Sequence, residues 1–345
     1  MYTAIVPDRA SNLPPKPREW EDVSSDVFRS QIVPRYEPAV LRGLVGDWPA
    51  VQKNAESVPS VLDYMLMLDS GQAVYTVAGE PAIKGRFFYD QQLQGVNFGS
   101  IASPLRSTVE HLLRLREAPE PPAIAVQAAN VNQALPGFTQ ENPLPLLDDQ
   151  TQPTFWLGNR AIVAPHFDVK DNIACVVSGR RRFTLFPPEQ IHNLYLGPIL
   201  SAPGGVPISM VDIRNPDLER FPRYAQALES ALQVELEPGD AIYIPAPWWH
   251  AVESLDSINL LVNYWFAGVA SSGISPKASL LHSIMGLRGL PEAQRSAWGH
   301  FFNYYLFAET DVTEHWPPGI LDVVTQMSPQ QKASLIRFLS DSLQE

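Results

Sequence analysis

At 345 residues, 45% of them hydrophobic, the chain can bury a large core and is not a disordered one. A net charge of −12, from 25 basic and 37 acidic residues, disfavours nonspecific binding to phosphate backbones and leaves a basic peptide or protein open as a partner. The single cysteine, Cys175, allows no internal disulfide, and there is neither a signal peptide nor an apolar run of about 18 residues. The expectation is a cytoplasmic protein with no membrane and no nucleic-acid partner.

Residues 1–30 are proline-rich and charged, with Pro14, Pro15 and Pro17, and read as an extended arm over the surface. Ser60 to Ser70, followed by Gly71, predicts a helix burying Val61, Leu62, Met65 and Leu68. A second amphipathic helix is expected from Thr108 to Arg116, and outer strands at Val74–Val77 and Phe87–Tyr89. The core proper should begin near Ala123–Gln127. Ile162 to Val177 reads as one extended strand running to a Ser178-Gly179 turn. Residues 197–220, rich in Pro and Gly, form a long loop of the kind that often serves as a lid, followed by a short helix from Tyr224 to Gln233. Pro238-Gly239-Asp240 opens an apolar strand that leads to His250, where prolines exclude a helix.

After Ala270 the apolar period changes. Ser275-Pro276, Leu290-Pro291 and Ser328-Pro329 each open a helical segment, the last with Gln331 as a capping box and a stripe of Leu335, Ile336, Leu339 and Leu343. Trp298 to Phe307 holds more aromatic side chains than one helix normally buries on its own chain. It reads either as core packing or as an interface between two copies. Division into 1–120, 121–268 and 269–345 follows.

Along a strand, residues i and i+2 point to one side, so His166 and Asp168 share a face, with Asn172 further along it. His250 follows His166 by 84 positions (250 − 166). Two imidazoles and a carboxylate suit a ferrous ion and leave open positions for an oxoacid and dioxygen, although zinc shares such ligands. A buried Asp in a strand beside a histidine calls for a cation, because aspartate is depleted in strands and costly to bury unpaired. The plainer alternative is a barrel whose polar residues are only hydrogen-bonded to one another. His111, His192, His282, His300 and His315 lack partner spacing and read as surface or packing residues.

From about residue 30 to 268 the sequence resembles the JmjC-related, cupin-like branch of iron(II)- and 2-oxoglutarate-dependent oxygenases. Phe155–Asn159, His166–Asp168 with Asn172, Ser178–Pro188, Pro238–His250 and Asn263-Tyr264-Trp265 carry the resemblance. Pro38–Gly43 and Trp48-Pro49-Ala50 resemble the family's lead-in. It implies a mainly β fold with helical additions: a double-stranded β-helix (jelly roll, cupin) core, an N-terminal α/β elaboration and a C-terminal helical segment. It also implies Fe(II) on His166, Asp168 and His250, with 2-oxoglutarate and O2 as cosubstrates.

Arg181 stands where relatives carry a lysine for the distal carboxylate of the oxoacid, a task a guanidinium fork can perform. Asn172 and Asn263 match positions lining the cosubstrate pocket, and Trp265 matches an aromatic residue beside the iron. Two family hydroxyl donors are missing, since Val163 and Ala125 occupy their places. The implied activity is hydroxylation of a protein, peptide or amino-acid-like substrate, with other small molecules open. A JmjC-type lysine demethylase and a non-catalytic cupin scaffold are the alternatives. Relatives of this kind often dimerise through C-terminal helices.

Overall fold

Alternating apolar runs and turn chemistry place the strands of the computed structural model, which describes residues 14–148, 150–266 and 275–341. In chain order these are Arg18–Trp20 (β1), Ala39–Leu41 (β2), Ala73–Gly79 (β3), Arg86–Phe87 (β4), Gly99–Pro104 (β5), Ala123–Asn130 (β6) and Pro153–Gly158 (β7). Ile162–Phe167 (β8), Asp171–Ser178 (β9), Arg181–Phe186 (β10), Leu232–Leu236 (β11), Ala241–Ile244 (β12), Trp249–Ser254 (β13) and Asn259–Phe266 (β14) follow. A nine-stranded sheet runs β1-β2-β12-β9-β14-β7-β6-β3-β5, and a five-stranded sheet runs β11-β10-β13-β8-β4. They form the expected jelly-roll core with helical additions.

The stretch expected to be one strand from Ile162 to Val177 is two. β8 belongs to the smaller sheet and β9 to the larger, and residues 168–170 carry the chain between them. Side-chain alternation therefore does not run unbroken from His166 to Asn172. β9 is instead apolar on both faces because it is covered on both. Ile173, Cys175 and Val177 pack outward in one cluster with Val61, Leu62, Met65, Leu105 and Val109. Ala174 and Val176 pack inward with Phe183 and Leu185 of the facing sheet. Each large apolar side chain so buried contributes about 1.5–3 kcal/mol before the entropy of ordering it.

Turns and caps fix the ends of these elements. The Ser178-Gly179 turn joins β9 to β10 with Gly179 at φ +70, where a Cβ would stand 2.5 Å from the Ile258 carbonyl oxygen. The helix expected to begin at Ser60 begins at Val58, because the Ser57 hydroxyl accepts the Ser60 N–H at 3.2 Å; it runs to Met67. The second helix spans Leu105–Leu115. The helix at Tyr224 stops at Glu229, and Leu232 and Gln233 join β11 instead. In the arm, β1 lies parallel to β2, and the Pro15 carbonyl accepts the Gln233 N–H at 2.9 Å. Residues 1–13 of the arm, and Leu343 of the C-terminal stripe, lie outside the described residues.

Residues 273–345 form a second unit. Its helices are Pro276–Leu287, Glu292–Leu306 and Pro329–Asp341, the last opened by reciprocal Ser328 and Gln331 capping bonds. None of them buries a described side chain: Trp298 is 47% and Phe301 56% exposed.

Candidate metal centre

β8 and β13 pair antiparallel with His166 opposite His250. The next pair in register is Val163 with Val252, so β8 carries one extra residue at Ala164-Pro165. A proline cannot donate to the ladder, and a bulge is where a sheet tolerates one. The bulge also turns Val163, three residues before His166, back toward the face His166 uses. The long 197–220 loop is tied to it, since the Pro165 carbonyl accepts the Ser209 N–H at 2.9 Å.

The two imidazole rings lie 4.2 Å apart between centroids, and Asp168 follows just past the end of β8. Ligand atoms of His166, Asp168 and His250 all lie within 4.8 Å of one another, with His250 Nε2 3.7 Å from Asp168 Oδ2. His166 Nδ1 is 3.0 Å from the Ala164 carbonyl oxygen, and His250 Nδ1 is 3.2 Å from that of Trp248. A carbonyl can only accept, so each Nδ1 carries the proton and each Nε2 keeps its lone pair for a metal. Burial, followed by the charge of His166, pushes His250 down to about 4, so it is a neutral imidazole at physiological pH. The other five histidines, 111, 192, 282, 300 and 315, are exposed.

Asn172 and Trp265 meet at the Asp168 carboxylate, and Asn263 stands behind Asn172. Asn172 Nδ2 and Trp265 Nε1 donate to Asp168 Oδ2 at 3.2 and 2.9 Å, and Asn263 Nδ2 donates to Asn172 Oδ1 at 3.3 Å. Trp248 and Trp249 are both buried and donate to the Tyr36 and Pro188 carbonyls. The chain before His250 is held by Asp171, which accepts from the Ala246 N–H at 3.0 Å and the Tyr243 hydroxyl at 3.0 Å.

Arg181 lies further along the same inner face. Leu185 pairs with His250 and Arg181 with Ser254, which places Arg181 four residues, about 13 Å, along the strands from the histidines. It lines a cavity of about 50 Å³ together with Ala125, Gln127, Trp156, Val163 and Ser254. Burial pushes the Arg181 guanidinium down to about 10, so it remains a cation, yet its Nε is buried without a partner. Gln127 and Ser254 were not singled out from the sequence. Alternation from Ala125 could have found Gln127, whereas Ser254 joins the cavity only through the closure of the barrel.

These residues fit the groups the resemblance implies. Two imidazoles and a carboxylate are a donor set for Fe(II). An orphaned guanidinium Nε in a cavity with room for about four water-sized groups suits the carboxylate end of a small acid.

The model of the cupin-like domain family matches residues 24–272. Lysine-specific demethylase JMJ31 of Arabidopsis thaliana is 36% identical over 113 residues, which cover 32% of this chain and 20% of that protein. HSPB1-associated protein 1 of Homo sapiens is 39% identical over 114 residues, covering 32% of this chain and 23% of its own length. JmjC domain-containing protein D of Dictyostelium discoideum is 37% identical over 109 residues, or 31% and 23% of the two chains. The matched stretch is thus about a fifth to a quarter of each of these relatives.

Proposed function

The chain belongs to the JmjC-related cupin-like family, and on that premise we propose that it is an iron(II)- and 2-oxoglutarate-dependent oxygenase that hydroxylates a protein, peptide or amino-acid-like substrate. The observation that carries this reading is the convergence of His166, Asp168 and His250 on one inner face with the Arg181 guanidinium, whose buried Nε has no hydrogen-bond partner. His166, Asp168 and His250 would hold the metal. Arg181 would bind the distal carboxylate of the oxoacid, with Gln127 and Ser254 beside it. An arginine side chain and a small dicarboxylate together span the separation between the two ends. When bound, iron, 2-oxoglutarate and O2 supply the oxidative chemistry: substrate C–H becomes C–OH, and the oxoacid leaves as succinate and carbon dioxide. The protein's part is to orient the ligands, hold the acid and exclude water.

Lysine demethylation is the second reading, favoured by the name of the Arabidopsis relative, a lysine-specific demethylase. It is distinguished by formaldehyde release from a methylated peptide. No helix among the described residues is long and apolar enough to cross a membrane. A cytoplasmic location is a separate part of the proposal. We likewise propose the three-part division at residues 120 and 268. The C-terminal helices, whose Trp298, Phe301 and Tyr305 are each about half exposed, would join two copies.

The test of the reading is succinate formation from 2-oxoglutarate with Fe(II), ascorbate and air. Turnover by the wild type that is lost in Arg181→Ala and His250→Ala supports it. A wild type that binds iron but neither binds nor consumes 2-oxoglutarate sinks it, and a non-catalytic scaffold takes its place.

A further inference from the structure

The hydrogen bonds behind Asp168 run in one direction only. Trp156 Nε1 and Thr154 Oγ1 both donate to Asn263 Oδ1, at 2.8 and 2.6 Å. Asn263 Nδ2 then donates to Asn172 Oδ1, and Asn172 Nδ2 to Asp168 Oδ2. An indole N–H can only donate, and an ionised carboxylate can only accept. Between those fixed ends each amide has a single compatible orientation. Flipping either one sets N–H against N–H on one side and oxygen against oxygen on the other. The register of the larger sheet builds this chain: Thr154 of β7 pairs with Asn263 of β14, and Trp265 of β14 pairs with Asn172 of β9. Asn263 and Asn172 are 1% and 6% exposed, so water does not readily replace a lost partner. Trp265, edge-on to Trp156 with ring centroids 6.2 Å apart, adds the second donor to Asp168 Oδ2.

We propose that Trp156 is a positioning residue for the metal: its indole N–H sets the polarity of the Asn263–Asn172 amide chain and thereby holds the Asp168 carboxylate in one rotation before a metal arrives. The inference rests on the reading of His166, Asp168 and His250 as a metal site, and it is independent of the cosubstrate or substrate. Thr154 is subordinate. A hydroxyl can rotate to accept as well as donate, so Thr154 alone cannot forbid a flipped Asn263, whereas the indole can.

The ranking of variants is therefore the test, read as Mn(II) affinity of the full chain from the EPR signal of the free ion. Trp156→Phe keeps an aromatic side chain of smaller size and loses the N–H, and Mn(II) should bind about 10- to 100-fold more weakly, the range for loss of an outer partner of a metal ligand. Thr154→Val should stay within about three-fold, because the indole still enforces the polarity. Asn263→Asp, which accepts at both ends and so turns Asn172 oxygen-first toward Asp168, should lose at least as much as Trp156→Phe. Urea midpoints of the metal-free variants separate affinity from general destabilisation. Trp156→Phe or Asn263→Asp within two-fold of wild type, or Thr154→Val weaker than Trp156→Phe, overturns the proposal. Should Trp156→Phe not fold, Asn263→Asp decides on its own. A wild type that binds no Mn(II) overturns the metal-site reading together with it. A wild type that binds Mn(II) but never consumes 2-oxoglutarate leaves the ranking as the test and removes only the oxygenase.

Discussion

At one end of the barrel's inner face, Asp168 Oδ2 receives two N–H bonds and both histidine Nδ1 atoms meet carbonyls; at the other, Arg181 Nε has no partner. Gln127 and Ser254, beside Arg181, make no side-chain hydrogen bond among the described residues. The end that carries the candidate metal ligands is organised in advance by the protein. The cavity end carries uncompensated polar groups that a ligand would satisfy. A pre-built centre and an unsatisfied pocket should respond differently to mutation, and four measurements test that contrast.

The largest effect belongs to the metal end. His166→Ala should bring metal binding below detection by calorimetry, because nothing else near Asp168 and His250 offers a third ligand among the described residues. Undiminished affinity would place the ion elsewhere. At the cavity end, Arg181→Met should weaken 2-oxoglutarate binding by about 100-fold, the worth of a charge-assisted fork. The same variant should leave the ligand-free protein as stable or up to about 1 kcal/mol more stable, since a buried, unpaired guanidinium costs desolvation that methionine does not. Arg181→Met that binds the acid normally, or that unfolds the protein, would erase the contrast.

Acid should act on the metal end. His250 is depressed in the fold to about 4 from an ordinary 6.5, so the unfolded chain takes up the proton first. Stability of the metal-free protein is then full above about pH 6.5 and is lost as pH falls toward about 4. Urea midpoints across that window should slope downward in wild type and flatten in His250→Gln; equal slopes would assign the loss to other groups. The smallest effects are expected of Gln127→Leu and Ser254→Ala, each weakening 2-oxoglutarate by about two- to ten-fold with metal affinity unchanged, as one neutral hydrogen bond implies. A shift in metal affinity instead would mean that the two ends are not separable.

This contrast also marks what could be read from the sequence. The candidate triad was legible because its residue types identify possible ligands and the turn before β12 is local, although Asp168 lies just past the end of β8 and not on the strand. The jelly roll was legible through the resemblance, and so was the choice of Arg181, which stands where relatives carry a lysine. The break at 168–170 was not, because an apolar strand covered on both faces and a strand that changes sheets have the same composition. Nor were the contacts of Trp156 and Thr154 with Asn263, 107 and 109 residues away, or the pairing of Ser254 with Arg181, because only sheet register brings these residues near one another. Asn172 and Asn263 could be singled out as polar residues in apolar strands, but whether an amide faces a cosubstrate or another amide depends on orientation.

Asp168 sits in the short crossing from β8 to β9, with His250 on one sheet and its hydrogen-bond donors Asn172 and Trp265 on the other. During synthesis, the centre stays incomplete until residue 265 has left the ribosome, and contacts of such long sequence separation are among the slowest to form. A metal ion present during refolding therefore has no early nucleus to template. On the proposed reading, capture would follow docking of the two sheets, and metal uptake would serve as a clock for the last step of folding.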